Sequence, residues 1–192
     1  DPTAPDPSTP GVIPNLSSNP KKLLAKWGVE MASRKVILDP SLAVNVNFGT
    51  PEGARKILYL PWLQLRPPHI SLDSLFTRGL SVLNVGSAGS LQVLTGTTTL
   101  KHHILLSATE NSGLMESQDI IKAGNPSNLF NKYEKDKKDH AIAIHVSGGS
   151  SNITQVTSNN NSEHRTKVRM GNDNLDILII ADTDILSDRF WI

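Results

Sequence analysis

Three carboxylates stand close together near the end of the chain, Asp182, Asp184 and Asp188, within the run NLDILIIADTDILSDRFWI that extends from Asn174 to Ile192. Carboxylates are hard oxygen ligands. If Asp182 closes a strand, Asp184 lies across the turn and Asp188 one helical turn later, and three oxygens converge on one divalent cation. Such a site would serve metal-assisted hydrolysis. The structural alternative places Asp184 at the N-cap of a helix starting at Ile185, where its carboxylate accepts backbone N–H groups that the first turn leaves without partners. The sequence favours capping, because no second acidic cluster or paired general base accompanies the triplet elsewhere.

Other catalytic patterns fail on spacing. The string Val85-Gly86-Ser87-Ala88-Gly89 has Val where a nucleophile elbow needs its first Gly. Gly148-Gly149 lacks the lysine of a phosphate-binding loop, and no Gly-rich fingerprint opens a helix. His102 and His103 are adjacent on an expected strand and point to opposite faces, as do His140 and His145, so neither pair shares a metal readily. With no cysteine in the chain, thiolate nucleophiles, disulfides and Cys-based zinc sites are excluded. No catalytic residue, metal site or cofactor is implied.

The elements that must position these residues alternate along the chain. Asn19-Pro20 signals a helix start, with Leu23, Leu24 and Trp27 on one face and Gly28 as its stop. Lys35 to Leu38 and Ala43 to Phe48 read as short strands around an Asp39-Pro40-Ser41 turn. Ile57 to Leu65 is apolar enough for a strand, but Pro61 removes a ladder donor and demands an edge or a bend. Ser71 to Leu80 carries Leu72, Leu75, Phe76 and Leu80 at helical spacing. Ser90 to Leu94 and His103 to Ala108 read as strands, Asn125-Pro126 as a second helix start, and His140 to Val146 as a strongly apolar strand. Leu175 to Ala181 is nearly continuous in apolar residues, the pattern of a strand covered on both faces. These runs predict an α/β fold, a layered and mostly parallel or mixed sheet with helices on both faces, Rossmann-like or flavodoxin-like, with Leu105, Ile142, Ile144, Leu178 and Ile180 on adjacent central strands.

Composition bounds the function. The 192 residues carry a net charge of +1 and 19% charged side chains, which gives neither a basic footprint for nucleic acid nor an acidic solvating tail. No apolar run approaches the roughly 20 residues of a membrane span. Residues 1–18 hold five of the twelve prolines and read as a linker or arm, leaving 19–192 as a single domain. Both ends read as cuts within a longer protein. Ser147 to Arg165 has few groups to bury and is expected to be a mobile excursion open to proteolysis. Its sequons at Asn152 and Asn160, like that at Asn15, matter only in a secreted, glycosylating context.

One resemblance draws these segments together. The stretches WGVE (Trp27 to Glu30), ILDP (Ile37 to Pro40), LPWL (Leu60 to Leu63), LFTRGLSVL (Leu75 to Leu83) and above all IIADTDILSDRFW (Ile179 to Trp191) resemble the extracytoplasmic auxiliary component of bacterial ABC-type transport systems, the gliding-motility GldG-like family. The resemblance implies a non-catalytic module on the periplasmic side of the inner membrane. It also implies permease and ATPase partners reached through the full-length protein, membrane contact only through segments outside this chain, and an envelope carbohydrate or peptide as a possible ligand. The family carries no assigned catalytic residues to transfer. A metal-dependent hydrolase using Asp182, Asp184 and Asp188 stands as the alternative.

Overall fold

A computed structural model describes residues 20–50, 53–149 and 174–187. The helix opened by Pro20 is α1 (Lys21–Lys26), which ends at Gly28, a residue in the left-handed region at φ 69°. A side chain there would run into Thr98 and His102. The strands follow as β1 (Val29–Met31), β2 (Lys35–Leu38), β3 (Ala43–Thr50), β4 (Gly53–Leu65), β5 (Leu83–Gly86), β6 (Leu91–Val93), β7 (Lys101–Ser107) and β8 (Gly113–Glu116). Two more short helices, α2 (Ser117–Lys122) and α3 (Asn128–Lys132), precede β9 (Ala141–Gly149) and β10 (Asn174–Ile180).

These strands form three sheets, and every pairing among the described residues is antiparallel. In the largest, β9 is the centre: β7 lies along one edge, while β10 and then β6 share the other, with β1 outside β6. A second sheet pairs β2 with β8, and a third runs β3-β4-β5. The main core forms where β4 and β5 (Leu63, Leu65, Leu83, Val85) meet β7 and β9 (Leu105, Leu106, Ile142, Ala143). Leu105 and Leu106 are successive yet both buried, because the β7–β9 register shifts there and the bulge turns both inward. A second cluster packs α1 and β1 against Ile144 and Val146 of β9, and a third packs β2 and Leu60 against Met115, Ile120 and Leu129.

The expected Rossmann-like α/β layering is therefore overturned. The described helices have only five or six residues each, too short to blanket a sheet, and sheet packs on sheet instead. A continuous apolar run looks the same in sequence whether helices or a second sheet cover it, which is why the pattern misled. The helix expected over Ser71 to Leu80 is a series of turns: Thr77 Oγ1 donates to the Ser71 carbonyl and Ser74 Oγ accepts from the Phe76 N–H. Hydroxyl side chains that bond the backbone locally compete with the helical ladder, and here they win. Leu105, Ile142 and Ile144 are buried as expected, but Leu178 and Ile180 are 40% and 38% exposed. They lie on β10, which is hydrogen-bonded only to β9 in the sheet and alternates between exposed and half-buried residues. The linker assigned to residues 1–18 and the excursion from 150 to 165 lie outside the described residues.

Truncation should separate the two faces of this sheet. Ile144→Ala, at a fully buried site, is expected to cost about 2–5 kcal/mol in chemical denaturation. Leu178→Ala, on the open face, should cost under about 1 kcal/mol. Equal losses would contradict an open outer side at β10.

Candidate functional site

The end of β10 is threaded between two neighbours. The Ala181 N–H donates to the Ile142 carbonyl of β9, and the Ala181 carbonyl accepts from Gly89 at 2.7 Å. Asp182 follows, 8% exposed, with its carboxylate spanning a gap between segments: Oδ2 accepts the Gly86 N–H at 3.0 Å and Oδ1 the Asp184 N–H at 2.8 Å. It thus ties the chain end to the turn after β5, where Ser87 adopts φ 55° and donates its N–H to the Pro61 carbonyl. The capping duty expected of Asp184 belongs to Asp182. Asp184 begins a single 3-10 turn (Asp184–Leu186), in place of the expected helix, and the residue before it, Thr183, makes no side-chain cap bond. Asp188 lies outside the described residues.

Burial pushes the Asp182 carboxyl up to about 6, against the pull of the backbone N–H groups and with a further push from the Asp184 charge. A carboxylate spent in this way on backbone donors is a poor metal ligand. No group of three or more His, Cys, Asp or Glu side chains among the described residues is arranged to hold a metal ion.

The histidines form hydrogen bonds across elements. His102 Nε2 meets the Trp27 carbonyl at 2.7 Å, His103 Nε2 meets Ser71 Oγ at 3.1 Å and His145 Nε2 meets Asp176 Oδ1 at 2.5 Å. No spacing in the sequence pointed to the chain Ser90, His140, Asp136, in which Ser90 Oγ lies 2.9 Å from His140 Nδ1 and Asp136 Oδ1 lies 2.9 Å from Nε2. Those residue types suit nucleophilic catalysis, but Ser90 and His140 are both completely buried, so no substrate reaches the hydroxyl. The chain fixes the entry into β9.

An open apolar face is the feature that remains. Along the β10 edge of the large sheet, Leu178 stands across from His145, which in turn stands across from His103, while Ile180 stands across from Ala143, where the face closes into the main core. Phe76 sets its ring edge-on to His145 at 5.0 Å and is itself 49% exposed, and its neighbour Leu75 is 77% exposed. The alternation in LDILII was the signal for one uncovered side, hidden because both sides carry apolar residues.

Over residues 1–192 the sequence matches the family described as an ABC-type uncharacterized transport system. The chain belongs to that family. It is an auxiliary component of an ABC-type transport system, as the resemblance implied. No curated protein and no solved structure matches it significantly. Among the described residues no helix is long and apolar enough to cross a membrane.

The Asp182 carboxyl makes a signed prediction. Its folded value, about 6, lies above the ordinary 3.8, so between these pH values the native state holds a proton that the unfolded chain has released. The group's contribution is present in full below the lower value and is lost as pH rises through the upper one, a swing of roughly 3 kcal/mol. Asp182→Asn, which cannot ionise, should gain stability relative to wild type between pH 4 and pH 7 in urea titrations. A stability difference that does not vary with pH would refute the assignment.

Proposed function

We propose that this chain is a non-catalytic, periplasmic docking module of its ABC transport system, binding the permease directly and the ATPase through the rest of the full-length protein. The observation that carries the reading is the open patch at the β10 edge of the large sheet, where Leu178, Ile180, Phe76 and Leu75 remain accessible beside His145. Apolar side chains gathered on one face are what a protein partner covers at the centre of an interface. Membership in an ABC-type transport family supports a partner from that assembly. The hydrolase alternative has no support: Asp182 is committed to the backbone and the Ser90-His140-Asp136 chain is sealed.

Two measurements test this. Co-purification of the full-length protein with its permease and ATPase should fall by about tenfold or more when Leu178→Glu and Ile180→Glu are combined, because a charge placed in a desolvated contact has no partner there. Undiminished assembly would remove the face from the proposal. The cysteine-free sequence allows the second. Ser81→Cys, at an exposed position, should react with a membrane-impermeant maleimide in cells whose outer membrane alone has been permeabilised. Labelling only after lysis would overturn the periplasmic placement.

A further inference from the structure

The open patch at the β10 edge carries titratable groups as well as apolar ones. In the antiparallel registers Lys101, Ser147 and Asp176 form one row across β7, β9 and β10, and His103, His145 and Leu178 form the next. Residues directly opposite in a sheet project to the same face, as do alternate residues along a strand, so these six side chains share one face. It is the face on which the Phe76 ring meets His145 at 5.0 Å. The two imidazoles are therefore direct cross-strand neighbours within the patch that Leu178 and Phe76 form.

Their partners differ. The His145 side chain is 20% exposed and its Nε2 lies 2.5 Å from Asp176 Oδ1, so a proton taken up there meets a carboxylate. His103 is exposed and its Nε2 lies 3.1 Å from the Ser71 hydroxyl, which supplies no compensating charge. The other charges around the pair are Lys101 on the same face of β7, and Asp73 and Arg78, exposed on the segment that carries Phe76 and without an ion pair among the described residues. His69 lies farther along, where its carbonyl accepts the Ser107 N–H. With both imidazoles neutral, Lys101 and Asp176 offset each other, as do Asp73 and Arg78. With both protonated, the surface gains a positive charge from each ring, and like charges directly opposite one another are destabilising across a ladder.

We propose that His103 and His145 make docking on this face sensitive to pH, the partner being held while both imidazoles are neutral and released as they take up protons. The inference rests on the reading of the β10 edge as the docking face. Imidazole is the side chain whose charge ordinarily changes between about pH 5 and pH 8. A partner that covers Leu178 and Phe76 also takes water from the rings between them, and a charge that loses water without gaining a counter-ion opposes the contact. His145 keeps Asp176 as its counter-ion, whereas His103 brings none, so His103 contributes the larger share. Protonation favours the free module, and by linkage docking favours the neutral rings.

The affinity of the full-length protein for its permease in nanodiscs, measured at about pH 8 and about pH 5.5, tests this. Wild type should bind at least about tenfold more weakly at the lower pH. His103→Gln should lose most of that difference, and adding His145→Gln should abolish it. His103 is exposed, so the single variant keeps the test open if His145→Gln, at a half-buried site, fails to fold. His103→Lys should bind weakly at both pH values, because its charge is fixed. Asp182 titrates in the same range, so the series is repeated in Asp182→Asn, where the pH effect should persist. The Leu178→Glu, Ile180→Glu protein distinguishes failure of the face from failure of the switch. If it binds as wild type does, or if wild type binds at neither pH, the docking face and the switch fall together. If it does not bind while wild type binds equally at both pH values, the switch alone is refuted. A pH effect that survives in the double glutamine variant would place the titrating groups elsewhere and equally overturn the proposal.

Discussion

Strand β9 is the constraint on which the larger sheet depends, because three of the sheet's other four strands are hydrogen-bonded to it. β7 fills one side, and β10 and β6 divide the other between them, so the sheet is continuous only through Ala141–Gly149. Four of its first residues, Ala141 to Ile144, are buried, and they face two different hydrophobic clusters. A strand that supports neighbours on two edges and cores on two faces has little freedom to shift, since a slip of one residue would move every side chain to the wrong side. The entry into it is fixed by polar contacts: the His140 ring bridges Ser90 and Asp136.

Buried carboxylates extend this logic to the turns. Asp39, wholly buried, accepts from the Ser41 N–H with one oxygen and from the Thr109 N–H with the other, which joins the β2–β3 turn to the segment after β7. Asp182 does the same for the end of β10 and the turn after β5. A carboxylate has about four acceptor sites and serves several orphaned donors at once, so one residue closes two turns. At Asp182 the cost of burial exceeds the gain from its hydrogen bonds and the proton is held more tightly than usual.

The acidic signature is thus best read as architecture, and the surfaces left for function are apolar. One is the exposed side of β10 with Phe76 and Leu75 beside it, and the other is the cleft between Tyr59, Trp62 and the corner joining α2 to α3. Open apolar surfaces of this kind are suited to being held by other chains. That character agrees with an auxiliary component of an ABC-type transport system.

The sequence by itself determined the family, through the motif from Ile179 to Trp191, and several elements whose signals are local. Pro20 and Gly28 bracket α1, Pro61 marks a break in β4, and the apolar run after His140 is the central strand, because proline, glycine and β-branched runs act on the backbone wherever they stand. Only the tertiary structure decided how the strands pair and what covers them. Strands of three or four residues such as β1, β6 and β8 are too short to show a period, and the antiparallel order comes from contacts between residues as far apart as Leu91 and Ala141. The same holds for the site. Asp182 and Asp184 are equivalent as residue types, and what distinguishes them is the Gly86 N–H, brought from 96 residues away by the packing of the sheets.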